Sequence, residues 1–183
     1  MYFLLIGHIY GQEFSQTVKS IDPILTSHAN FRMGFSSATT NGQSTICLEG
    51  MILSSFAIET CGTGYGFVHR EAGTDFVHFR GKWNAFTQSF SQSLIKAQLG
   101  AGFAEIQIAA DEVGFQFGGT GNGVETAGPE ASLSVQWMHR IDTHTELVVD
   151  MNLGSAFFYY GPELIVPQPQ IYPFFEVSCG VGW

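Results

Sequence analysis

From Ile171 to its last residue the chain alternates without a break. Ile171, Pro173, Phe175, Val177, Cys179, Val181 and Trp183 fall on one parity, and all are apolar. Tyr172, Phe174, Glu176, Ser178, Gly180 and Gly182 fall on the other and are small, polar or aromatic. Successive side chains leave an extended backbone on opposite sides, so period two marks a strand with two unlike faces. The pattern recurs upstream. Leu147, Val149, Met151 and Leu153 oppose Glu146, Val148, Asp150 and Asn152; Ala131, Leu133, Val135 and Trp137 oppose Ser132, Ser134, Gln136 and Met138. Val77, Phe79 and Trp83 oppose His78, Arg80 and Lys82; Ile46, Leu48, Ile52, Phe56 and Ile58 oppose Cys47, Glu49, Met51, Ser55 and Glu59. Ala97, Leu99, Ala101 and Phe103 oppose Lys96, Gln98, Gly100 and Gly102, and Phe31, Met33 and Phe35 oppose Arg32 and Gly34.

A chain of such strands closes in one of two ways. A soluble barrel turns its apolar face inward, and a membrane barrel turns it toward lipid. Composition separates them. Charged residues are 13% of the 183, about half the ~25% usual in soluble domains. The non-apolar face carries Gly, Ser, Asn and Gln instead of the Lys and Glu that water-facing surfaces hold. Its charges can pair across a lumen: Arg32, Arg80, Lys82 and Lys96 share a side with Glu49, Glu59, Asp150 and Glu176. Aromatics gather near strand ends, at Tyr65 and Phe67, Trp83 and Phe86, Trp137, Phe157 to Tyr160, Tyr172 and Trp183, as the girdles at two membrane interfaces require. The expected fold is all-β, an antiparallel up-and-down transmembrane β-barrel with a lipid-facing apolar exterior and a polar interior.

The strands read as 29–40, 43–60, 62–72, 75–89, 95–118, 129–141, 144–159 and 170–183, eight in all. Period two fails near Glu105 to Ala110, where a bulge would restore it and a hairpin would raise the count toward ten, the alternative. Phe76, Phe86, Met51, Tyr172 and Phe174 fall on the inward parity and would fill a narrow lumen. Long connections 119–128 and 160–169 and the short turn 142–143 fit an outer and a periplasmic end. Residues 1–28 form an N-terminal segment ahead of the barrel at 29–183. Phe3 to Tyr10 is either a signal remnant or a genuine start, and it lacks the basic flank of a complete signal. Phe14, Val18 and Ile21 then share one helical face up to Asp22-Pro23.

The end Gln170-Ile-Tyr-Pro-Phe-Phe-Glu-Val-Ser-Cys-Gly-Val-Gly-Trp183 resembles the C-terminal signal of bacterial outer-membrane barrels. In the resemblance, Phe175, Val177, Cys179, Val181 and Trp183 are the positions that the assembly machinery reads. From about residue 29 the pattern is similar to the small eight-stranded group of OmpA transmembrane-domain, OmpX, OmpW, PagP and PagL types. That implies a Gram-negative outer membrane, insertion from the periplasm, and lipid and lipopolysaccharide as neighbours. No single family in the group is matched by motif.

Motifs that would carry chemistry are few in the chain. PagL-type deacylases carry a His-x-Ser-Asn segment, and no His-x-Ser occurs here. PagP-type acyltransferases place His, Asp and Ser at outer strand ends, where His69 and Asp75 are the nearest candidates against an ordinary polar loop. His139, Asp142, His144 and Glu146 form the densest polar group, but a metal needs ligands converging on one point, and a polar turn explains them. Gly118 to Gly123 lacks the Lys-Ser/Thr of a phosphate loop. Cys47, Cys61 and Cys179 are an odd number at irregular spacing and read as small side chains on strands, with no disulfide framework. Seven Lys+Arg against sixteen Asp+Glu disfavour nucleic acid. Neither metal nor cofactor is expected.

The expectation is therefore a non-enzymatic barrel with Glu49, Glu59, Arg80, Lys82, Lys96, Asp150 and Glu176 as a paired luminal network. Its loops 119–128 and 160–169 would meet an envelope partner. The alternatives are an OmpW-like solute channel, a PagP- or PagL-like lipid-modifying enzyme, and a soluble lipocalin-like binder.

Overall fold

In the computed structural model, which describes residues 29–39, 44–63, 74–108 and 123–183, eight strands pair in chain order and the last closes on the first. They are β1 (Ala29–Ser36), β2 (Ser44–Leu53), β3 (Phe56–Thr63), β4 (Thr74–Phe90), β5 (Ser93–Ile108), β6 (Glu125–Arg140), β7 (Glu146–Phe157) and β8 (Ile171–Gly182). Every neighbouring pair is antiparallel. Beyond the strands proper, Ala29 and Trp183 exchange backbone hydrogen bonds at 3.2 and 3.0 Å.

The register fixes the shape. A row begun at Ile95 passes through Trp137, Val149, Cys179, Met33, Ile46, Gly62 and Val77 and returns to β5 at Glu105, ten residues further along. Eight strands with that offset tilt about 40° and enclose a backbone radius of about 8 Å, given the usual strand spacing and rise. Inward side chains fill such a cylinder. Outward, Leu133 and Leu153 are 59% and 60% exposed, while inward Glu59 and Arg32 are at 0%. The apolar face therefore lies outside and the polar face inside. On β6 the outward Trp137, Val135, Leu133, Ala131, Pro129 and Ala127 run between His139 and Glu125, a belt about 25 Å tall at that tilt.

The short connections, 54–55, 91–92 and 141–145, share one end with the two termini of the barrel. The longer ones, 37–43, 64–73, 109–124 and 158–170, share the other. The count of eight holds, but the boundaries change. Residues 43–60, expected as one strand, are a hairpin that turns at Ser54-Ser55. Neither Gly nor Pro marks that turn. Of 62–72, Gly62 and Thr63 lie in β3 and the others fall outside the described residues, and Glu125 to Gly128, expected as loop, begin β6.

The irregularity expected near Glu105 is of another kind. The β5–β6 register runs from Ser93↔His139 to Gln107↔Glu125 without a slip. What inverts there is polarity: Ala104, Ile106 and Ile108 are buried on the inward parity, while Glu105 and Gln107 fall on the outward one. The bulge lies instead on β4, where Asn84 pairs with Gln98 and Phe86 with Ala97. The extra residue, Ala85, turns Phe86 outward to 56% exposure, against the inward position expected from its parity. Phe158, expected in the aromatic girdle, is fully buried.

The cysteine expectation is overturned. Cys47 and Cys61 face each other across β2 and β3 on the inward face and form a disulfide. Their spacing of fourteen hides the pairing until the hairpin turn is placed between them. Cys179 is free and exposed. The signal remnant, the helical face of Phe14 to Ile21, Tyr65, Phe67, His69 and Gly118 to Asn122 lie outside the described residues.

Candidate functional site

The interior has three layers. The middle one is charged, and alternation with register builds it. Glu49 and Glu59 sit opposite each other on β2 and β3, and Glu59 sits opposite Arg80 on β4. Lys82 is the next inward residue of β4, and Asp150 of β7 lies between Gln136 and Ser178. Lys82 Nζ donates to Asp150 at 2.9 Å, to Glu59 at 3.0 Å and to Glu49 at 3.1 Å. Arg80 Nε donates to Glu59 Oε1 at 2.7 Å, and its Nη2 also lies 2.5 Å from that oxygen. The same Nη2 reaches Glu176 at 3.5 Å.

Arg32 of β1 completes the layer. Its Nη1 lies 3.1 Å from Asp150 and 3.2 Å from Glu49, and its Nη2 bonds Glu59. Gln136 Nε2 donates to Glu49 at 2.9 Å, and Asn152 Nδ2 to Glu176 at 2.9 Å. Because these partners come from all around the barrel, the network ties its walls together. A cavity of about 10 Å³, room for about one water, lies among Arg32, Glu59, Arg80, Asp150, Asn152 and Glu176.

Six of the seven expected luminal residues meet here. Lys96 is the exception. It is buried and inward, but its Nζ donates to Met51 Sδ at 3.6 Å, with no carboxylate within 4.0 Å among the described residues. It sits toward the short-turn end, where Leu94, Met138 and Val148 form a small apolar floor. The expected set also omitted contributors. Arg32 was on the right parity. His78 shared the face of Arg80 and Lys82. Glu130 follows Pro129, at the expected start of a strand that actually begins at Glu125. Arg80 Nη1 approaches Glu130 at 3.7 Å, and His78 lies 3.7 to 3.8 Å from Glu59, Glu130 and Glu176.

The third layer closes the long-loop end. Phe76, Phe158, Phe174, Ile106, Ile108 and Leu164 pack into one buried cluster with Ala38, Ala104 and Ala156. Phe76 and Phe174 have ring centroids 5.0 Å apart, and Tyr172 stacks on Phe76 at 6.2 Å. The Tyr172 hydroxyl donates to the Ala38 carbonyl at 3.2 Å. Gly154 lies directly opposite Phe174, and a Cβ there would press into its ring. Above the belt the barrel is thus built like a soluble one, apolar within.

Among the described residues, the catalytic and metal candidates do not assemble. Thr63 Oγ1 donates to Asp75 at 2.8 Å. His139 bonds Ser93 at 2.8 Å and stacks on Trp137. Asp142 accepts the His144 backbone N–H at 2.7 Å, which holds its carboxyl below the ordinary range, and Glu146 turns inward. Two other groups do converge. Glu49, Glu59 and Asp150 close on the Lys82 ammonium and the Arg32 guanidinium. In the set Glu59, Cys61 and His78 the sulfur is committed to the disulfide.

No protein-family model and no curated protein matches the sequence. Solved structures do resemble the fold. Neisserial surface protein A aligns over 84% of this chain and 92% of its own, at 10% identity and a TM-score of 0.49. Ail, the attachment invasion locus protein of Yersinia pestis, covers 85% and 97% at 7% identity and 0.40. AlkL, an outer membrane protein determined in lipid bilayers, covers 85% and 86% at 10% identity and 0.37.

Proposed function

We propose that this chain is an integral barrel of a Gram-negative outer membrane that neither catalyses a reaction nor conducts solutes. Its body is an anchor. The connections 109–124 and 158–170 are what it presents outside, to an envelope partner or to lipopolysaccharide. The observation that carries this is the filled interior: an apolar floor, an ion-paired middle and an aromatic cap leave room for about one water in the charged layer. The outward belt has the height of an outer-membrane hydrocarbon layer, ~25 Å. It would be costly in water and is cheap in lipid. The soluble-binder alternative needs the opposite arrangement of faces. The enzyme alternative loses footing because His139, Asp142 and Asp75 have separate partners.

Loops at one end and short turns at the other fit insertion with the termini of the barrel on the periplasmic side. Phe175, Val177, Cys179, Val181 and Trp183 line the outward side of the closing strand, in a row that assembly machinery could read before the barrel shuts. The deciding experiment is conductance in planar bilayers. The purified barrel gives no steady single-channel current. Sustained ion flux would favour the channel alternative and sink the closed one.

A further inference from the structure

The charged layer does not balance. Its ion pairs join three cations, Arg32, Arg80 and Lys82, to five carboxylates, Glu49, Glu59, Glu130, Asp150 and Glu176. Three against five leaves two negative charges in this layer. Uncompensated charge in a closed interior is strongly unfavourable.

The deficit is local. Glu49, Glu59 and Asp150 each hold a cation within 3.2 Å. Glu130 has only Arg80 at 3.7 Å, and neither of its oxygens accepts a hydrogen bond. Glu176 Oε1 has no partner. His78 stands between them at 0% exposure, with neither ring nitrogen hydrogen-bonded. Its Nδ1 is 3.8 Å from Glu130 Oε2. Its Nε2 is 3.7 Å from Glu176 Oε2 and 3.8 Å from Glu59 Oε1. An imidazole with carboxylates at both edges suits a ring that donates from both nitrogens, and adjacent acids titrate as one unit.

We propose that His78, Glu130 and Glu176 form a proton-binding site that supplies the missing positive charge. The barrel then folds with protons that the unfolded chain has released at neutral and alkaline pH. The surrounding groups are Arg32 on β1, Glu49 on β2, Glu59 on β3, Arg80 and Lys82 on β4, Lys96 on β5, Asp150 on β7 and Glu176 on β8. Opposite His78, β5 offers only Ala104. Because the native state binds more protons, stability falls as pH rises.

The test is the unfolding equilibrium of the full chain in phosphatidylcholine vesicles between about pH 7 and about pH 9, above the ordinary histidine range. The unfolding constant is expected to rise up to about tenfold per pH unit for each bound proton. Glu130→Gln removes one proton from this slope and leaves the barrel at least as stable as the parent at the alkaline end. A Glu130→Gln barrel that is weaker throughout, with the parental slope, would overturn the proposal and make Glu130 an ionised partner of Arg80. Should that variant fail to fold, proton uptake by the parent on refolding, read with an indicator dye in weak buffer, decides the matter. Uptake supports the site and its absence overturns it. A slope that vanishes on adding Zn²⁺ and returns with chelator would also overturn it, in favour of a metal.

Discussion

Glu59 meets three cations at once, Arg32, Arg80 and Lys82, and is itself fully buried. Removing it strands those charges, so Glu59→Leu is expected to cost on the order of 3–5 kcal/mol in urea unfolding from vesicles, the usual range for breaking a buried pair. A loss below about 1 kcal/mol, typical of exposed pairs, would mean that solvent enters the lumen. Parity and charge alone placed Glu59, Arg80, Lys82 and Asp150 in this group. They could not place Lys96, because which inward residues share a level depends on register. His78 was hidden by its neutrality, and Glu130, though inside the expected strand 129–141 and on its polar parity, by its place at the strand's start beside Pro129.

Two further outcomes belong at this scale. With one disulfide, alkylation of the unreduced, denatured chain labels a single cysteine, Cys179. Labelling of three would refute the Cys47–Cys61 bond. At the 141–145 turn, Asp142 is held below its ordinary value of 3.8 chiefly by the His144 N–H. Its contribution to the turn is present above the unfolded carboxylate range and is lost as pH falls through the lowered folded value. Carboxyl shifts followed by NMR through acid should show Asp142 titrating below the ordinary aspartate value of ~3.9. A midpoint at that value would contradict the hydrogen bond.

The strands behave differently under deletion, and the reason is the period of two. Ala85 is an extra residue between two paired rungs, so removing it leaves Asn84↔Gln98 and Phe86↔Ala97 as consecutive pairs. That deletion is expected to give a folded barrel. Deleting Phe79 is expected to give none, because a one-residue slip in the middle of β4 exchanges its faces and carries His78 or Arg80 toward the apolar side. The comparison is read as the yield of protease-resistant barrel after refolding. Equal yields would mean that β4 carries no fixed register. The bulge was not legible in the sequence, since Trp83-Asn84-Ala85-Phe86 alternates acceptably without it. The inversion at Glu105 was legible, but only as a break in phase. Period two persists there, while the surroundings of each face change. At Gly154 the sequence shows only a small residue, and the structure adds the Phe174 ring laid across it. Gly154→Val is expected to dislodge the aromatic cap at about 1–3 kcal/mol, the usual cost of overpacking.

At the level of the whole molecule, the apolar exterior and the charged interior are one device. A shear of ten on eight strands leaves a bore that side chains fill, and the interior pairs then join strands distant in sequence, as Arg32 to Asp150 does across 118 positions. Such closure gives the barrel no strand edges between its paired rows. The most direct test is electrophoresis of the detergent-extracted protein in SDS with and without boiling. The account predicts extraction only with detergent, and a folded form that resists cold SDS and migrates apart from the boiled chain. A protein that dissolves in plain buffer and runs at one position in both lanes would contradict it.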